Sequence, residues 1–149
     1  FHISTNVGEP LNPLVKIASG GELSRLMLAL KTIFAKHQGV TSIIFDEVDT
    51  GVSGRVAQAI AEKIAMVANH SQVLRISHLP QVAAMADQHY LIKKQVKDKR
   101  TTTAIENVHN ENRTSELSRM LSGAETTPLT LKHAEELLTL AAERKTEFR

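Results

Sequence analysis

From Glu22 onward the apolar positions fall at helical spacing. Leu23, Leu26, Met27, Leu30, Ile33 and Phe34 sit at i, i+3, i+4, i+7, i+10 and i+11, which predicts one amphipathic helix with a single apolar stripe, ended by Gly39. Before it, Phe1 to Asn6 reads as the end of a strand, and Gly8, Pro10 and Pro13 mark a loop. After it, Thr41 to Phe45 is a β-rich run too short for a helix, and it ends in the acidic pair Asp46-Glu47. A loop with Gly51 and Gly54 leads to a second amphipathic helix carrying Val56, Ile60, Ile64 and Val67 on one face. Gln72 to Ile76 predicts another buried strand, ending at Ser77-His78. Pro80 suits the first turn of a short helix through about Ala86, where its missing N–H is not needed.

Strand, helix, strand, helix at these spacings predicts an α/β fold with βαβ units on a parallel sheet. Ligands on such sheets sit at the carboxyl ends of the strands, where Asp46, Glu47 and His78 lie. The pattern then changes. His89 to Val96 and Thr101 to Val108 predict a hairpin around the charged turn Lys97-Asp98-Lys99-Arg100. Arg113 to Ser122 predicts a helix stopped by Gly123, and Thr127-Pro128 opens a last helix with Leu131, Ala134, Leu138 and Ala141 along one side. There is no internal repeat and no low-complexity segment.

Composition narrows the function classes. A length of 149 residues suits one domain with a real core, and 42% apolar with 23% charged residues is the usage of a soluble globular protein. No apolar run approaches the roughly 20 residues that span a bilayer. Zero cysteines exclude a disulfide framework and a thiolate metal site, in keeping with a reducing cytoplasm. A net charge of +2 assigns any polyanion binding to a local patch, and one Tyr, no Trp and four Phe leave few faces for stacking bases. The opening on Phe1, within strand-like sequence, gives the expectation of a piece of a longer chain.

Three elements carry candidate chemistry. Ser19-Gly20-Gly21-Glu22 puts two residues without Cβ before a long helix, whose first N–H groups and dipole suit a phosphate; the same residues also make a plain glycine turn with Ser19 as N-cap. Ile43-Ile44-Phe45-Asp46-Glu47 ends a strand in two acids pointing different ways, one able to face Mg²⁺ and its water and the other an attacking water. A solvated acidic turn accounts for them equally. His78 ends a strand either as a phosphate-directed donor or as a structural histidine. No H-x-x-x-H spacing, G-x-S-x-G elbow or cysteine nucleophile is present.

Taken together, in this order and at these separations, the three resemble the C-terminal part of ABC-type ATPases. Ala18-Ser19-Gly20-Gly21-Glu22 resembles the signature motif and Ile43 to Asp46 the Walker B strand. Glu47 stands at the catalytic glutamate position, Val48-Asp49-Thr50-Gly51 at the D-loop and His78 at the switch histidine. The longer texts Lys16 to Arg25, Phe45 to Gly54 and Ser77 to Ala83 resemble the SMC-like DNA-repair branch of that family, over about Asn6 to Gly123 and more loosely through the last helix.

The resemblance implies that residues 1–149 form one partial domain, the C-terminal lobe of a P-loop ABC-type ATPase head. No G-x-x-x-x-G-K-[ST] occurs in the chain, so it implies a Walker A lobe upstream, beyond a coiled coil, and no hydrolysis by this piece alone. It further implies two heads sandwiching ATP. Ser19, Gly20 and Gly21, with Glu22, contact the partner-held nucleotide, Asp46 holds Mg²⁺ through water, Glu47 activates the attacking water, His78 senses the γ-phosphate and Asp49 crosses the dimer interface. Homodimerisation, DNA as partner, cytoplasmic nucleoid location and no membrane follow from the same resemblance. The basic stretch Lys93, Lys94, Lys97, Lys99 and Arg100 suits DNA phosphates or a solvated hairpin tip. Two rival readings stand beside the repair ATPase: a fragment of a transporter's nucleotide-binding subunit, which Glu22 and Val48 to Gly54 argue against, and a non-catalytic interaction fragment.

Overall fold

The computed structural model describes residues 2–4, 7–17, 19–38, 41–46, 48–97, 100–123 and 125–148. Expectations placed on Phe1, Asn6, Ala18, Gly39, Glu47, Asp98 and Lys99 lie outside the described residues. The first strand-like stretch is β1 (His2–Ile3), which pairs antiparallel with β2 (Asn12–Pro13). A single helical turn, α1 (Leu14–Ile17), follows where the prolines had predicted only loop.

The periodic segment forms α2 (Gly20–Gln38), starting three residues before the first apolar position because a side-chain cap holds its first turn. β3 (Ser42–Phe45) and β4 (Gln72–Arg75) pair in parallel from Ser42↔Gln72 to Phe45↔Arg75, with α3 (Gly54–Ala68) as the connection. The predicted βαβ unit is therefore present. Strand alternation, however, leaves one face uncovered: Ile43 and Phe45 are buried while Ile44, Leu74 and Ile76 are exposed, Ile44 to 70%. The sequence predicts a buried strand over Gln72 to Ile76, and the exposure of Leu74 and Ile76 departs from that. The β3–β4 sheet has only two strands among the described residues, and packed elements lie against one side.

The stripe on α2 departs from expectation in the same way. Leu28, which lies off the stripe, is buried, whereas Leu23, Met27, Leu30, Ile33 and Phe34 stay exposed, Ile33 to 62%. Periodicity identifies the helix but not which side a neighbour covers.

α3 carries two cores. Ile60 and Val67 pack with Leu28, Ile43, Phe45 and Val48, while Ala61, one residue on from Ile60, packs with Val82, Met85, Leu117, Ala134 and Ala141. The second cluster is built from α4 (Pro80–Met85), α5 (Asn110–Ser122) and α6 (Pro128–Phe148). α4 opens on the predicted proline. Its carboxyl end is closed by Arg113 of α5, which donates to the carbonyls of Ala83, Ala84 and Ala86 at 3.0, 3.0 and 2.7 Å. A helix end leaves such carbonyls short of intrahelical partners; of the three, Ala83 O also accepts from Ala86 N–H at 3.3 Å. Gly123 ends α5 at φ 83°, and its N–H donates to Arg119 O. Thr127 and Thr130 cap each other at the start of α6, and Ser118 Oγ donates to Thr130 Oγ1 at 2.7 Å.

β5 (His89–Lys97) and β6 (Arg100–Val108) form the predicted hairpin in continuous antiparallel register. Val108 is buried, but the rest of β6 is exposed. Among the described residues no helix is long and apolar enough to cross a membrane. The fold is a mixed α/β arrangement of short parallel and antiparallel sheets with helices.

Leu117 is wholly buried at the centre of the second cluster, and Leu129 is 77% exposed at the start of α6. Leu117→Ala is expected to cost about 2–5 kcal/mol in urea unfolding, and Leu129→Ala less than about 0.5 kcal/mol. Equal effects would contradict the placement of this core.

Candidate functional site

The glycine turn is set by a reciprocal cap. Ser19 N–H donates to Glu22 Oε2 at 2.8 Å, and Glu22 N–H donates to Ser19 Oγ at 3.3 Å. This is a capping box, so the reading of Ser19 as N-cap is correct. The Ser19 backbone N–H, then its hydroxyl, hold the exposed Glu22 carboxyl below its ordinary range. Among the described residues nothing accepts from the N–H groups of Gly20 or Gly21.

Gly21 is required by a close approach. A Cβ there would lie 2.9 Å from Thr50 O, a backbone atom, whereas one on Gly20 would meet nothing within 4 Å. Arg25 Nη1 donates to the same Thr50 O at 3.2 Å. The start of α2 is thus fastened to the loop after β3.

That loop is anchored from inside. Val48 is buried, and Asp49 is 2% exposed. Asp49 Oδ2 accepts from Ser77 Oγ at 2.5 Å and lies 3.2 Å from Arg75 Nη2. Within one copy the Asp49 carboxylate turns inward, because β4 brings the buried Arg75 beneath it. Burial lowers the Arg75 pKa, and the charge and hydrogen bond of Asp49 oppose that shift. Ser77 Oγ also accepts from Leu79 N–H at 3.1 Å, bridging the backbone on either side of His78.

Asp46 and His78 follow adjacent parallel strands at the same end of the sheet, and Ile76 N–H donates to Phe45 O at 3.3 Å between them. Both side chains are exposed. Glu47 lies outside the described residues. The structure therefore brings Asp46, His78 and the loop 48–51 to one edge and ties the Ser19–Glu22 turn to that loop. Among the described residues no three acids or histidines cluster as a protein-only metal site. One exposed carboxylate suits an ion such as Mg²⁺, which takes one or two carboxylates and fills its shell with phosphate and water.

Arg25, Arg75 and Ser77 were not singled out from the sequence. Arg75 had a legible signal: a lone cation within Val73-Leu74-Arg75-Ile76 demands a buried acid. On the hairpin, Lys93 pairs with Glu106 at 2.8 Å with both groups about half exposed, while Lys94 and Arg100 are exposed.

Two outcomes follow from the turn. Gly21→Ala should lower the melting temperature by several degrees through its clash with the Thr50 backbone, and Gly20→Ala should leave it within about 2 °C. Because Glu22 titrates below its unfolded-state value, its cap contributes above that value and fades as pH falls through the depressed one. The unfolding-stability difference between wild type and Glu22→Ala should therefore be present at neutral pH and close below the carboxylate range.

No protein-family model matches the chain. It is 63% identical over 145 residues to DNA repair protein RecN of Halalkalibacterium halodurans, which covers 97% of this chain and 26% of that protein. To RecN of Bacillus subtilis it is 63% identical over 146 residues, 98% of this chain and 25% of the relative. To RecN of Treponema pallidum it is 46% identical over 145 residues, 97% and 25% respectively. The chain spans about a quarter of the length of these curated relatives. Aligned at this identity over almost all of its residues, the chain matches a segment of DNA repair protein RecN.

Proposed function

We propose that residues 1–149 are the C-terminal lobe of an SMC-like, ABC-type ATPase head in a DNA double-strand-break repair protein. The observation that carries this reading is the meeting of Asp46, His78 and the Gly21–Thr50 contact at one end of the β3–β4 pair, in a chain 63% identical to proteins named for DNA repair. The head is completed by an N-terminal lobe with the Walker A lysine, elsewhere in the full-length protein. Two uncovered apolar surfaces, Ile44 with Leu74 and Ile76 on the sheet and Leu23, Met27, Ile33 and Phe34 on α2, support such a covering segment.

The residues suit phosphoryl transfer, which rests on positioning and charge neutralisation. Bound Mg²⁺·ATP supplies the electrophilic phosphorus and the leaving group. Asp46 is the residue that would hold Mg²⁺, which would neutralise charge on the phosphates. Glu47 orients and deprotonates the attacking water, and His78 donates to a terminal phosphate oxygen. Ser19, and Gly20 and Gly21 through their N–H groups, would serve nucleotide held by a second copy. ATP thereby stabilises a head-to-head homodimer that hydrolysis releases. DNA is the partner of the assembled protein in the nucleoid.

Glu47→Gln in the full-length protein should lower kcat for ATP hydrolysis at least about 100-fold and prolong the ATP-dependent dimer seen by sedimentation. Undiminished turnover in that variant would sink the assignment.

A further inference from the structure

We propose that Ser77 and Arg75 are positioning residues: through Asp49 they hold His78 and the Gly20-Gly21 turn in one rigid frame. The inference rests on the ATPase reading above and assigns how its two half-sites are aligned within one copy.

The frame is an unbroken series of contacts. Gly21 abuts Thr50 O, and Arg25 donates to the same oxygen at 3.2 Å. Asp49 is the next residue, and its carboxylate is gripped by Ser77 Oγ and paired with Arg75 Nη2 at 3.2 Å. Ser77 Oγ in turn accepts from Leu79 N–H at 3.1 Å. His78 therefore sits between two backbone points fixed by one hydroxyl, and Pro80 sets φ immediately downstream. His78 is exposed, so no packing of its own ring orients it.

A bare anchoring role does not account for the arrangement. Val48 already anchors the loop in the apolar core. Burying an acid beside a cation is a poor route to stability when an apolar pair of similar volume serves as well. What the directed hydroxyl of Ser77 adds to that ion pair is orientation, through a hydrogen bond that has one geometry. Small displacements at phosphoryl-transfer sites are costly in rate, because alignment supplies much of the acceleration.

The test uses the full-length protein. Ser77→Ala should lower kcat for ATP about tenfold with KM for ATP changed less than about threefold, and Ser77→Thr, which keeps the hydroxyl, should stay within about threefold of wild type. Arg25→Ala combined with Ser77→Ala should lose less than the product of the single losses, by at least about threefold, since both act on one frame. Multiplicative losses, or wild-type kcat in Ser77→Ala, would overturn the inference. Should Ser77→Ala fail to fold, hydrogen exchange decides: Arg25→Ala should speed exchange at residues 48–51 and also at 77–79. Unchanged exchange at 77–79 overturns it. A wild-type protein without ATP turnover refutes the ATPase reading; wild-type turnover with an indifferent Ser77→Ala refutes the positioning role alone.

Discussion

The placement of the loop after β3 depends on a carboxylate taken out of water. Asp49 sits almost fully buried between Arg75 and Ser77, and an isolated buried charge is not tolerated. Removing one partner of such a pair costs on the order of 3–5 kcal/mol, a large share of a small domain's stability. The loop cannot shift without breaking the pair. Thr50 is thereby held where α2 can fasten to it, and β4 is held where its last residues meet the end of β3.

Much of this was legible because regular elements write their period into the sequence. α3, β3, β4 and the β5–β6 hairpin fall within a residue or two of their predicted bounds, since apolar spacing and Gly or Pro punctuation mark them directly. Pro80 and Gly123 mark a helix start and a helix end for the reasons their backbones dictate. The side chosen by a neighbour was not legible. Leu23, Ile33 and Phe34 share a stripe in sequence, yet Leu28, off that stripe, enters the core. Ile44 and Leu74 lie in β-rich runs but project from the face left exposed among the described residues.

The site divides in the same way. Ser19 and Glu22 stand three apart in a capping-box spacing, and the box forms. Asp46 and His78 end strands that pair, so their shared edge followed from the βαβ reading. The buried surroundings of Asp49 were not legible, because motif text gives order along the chain and not the direction of a side chain. The inward turn is set by Arg75, twenty-six positions away, a tertiary fact with no local period.

The division of labour within α3 bears on how this protein melts. Ile60 belongs to the cluster with Phe45 and Val48, and Ala61 to the one with Leu117 and Ala134. A helix whose consecutive residues serve opposite cores cannot loosen toward one without withdrawing from the other. Heat or denaturant should therefore disorder the sheet side and the helical side in a single concerted event, with no stage at which one survives alone.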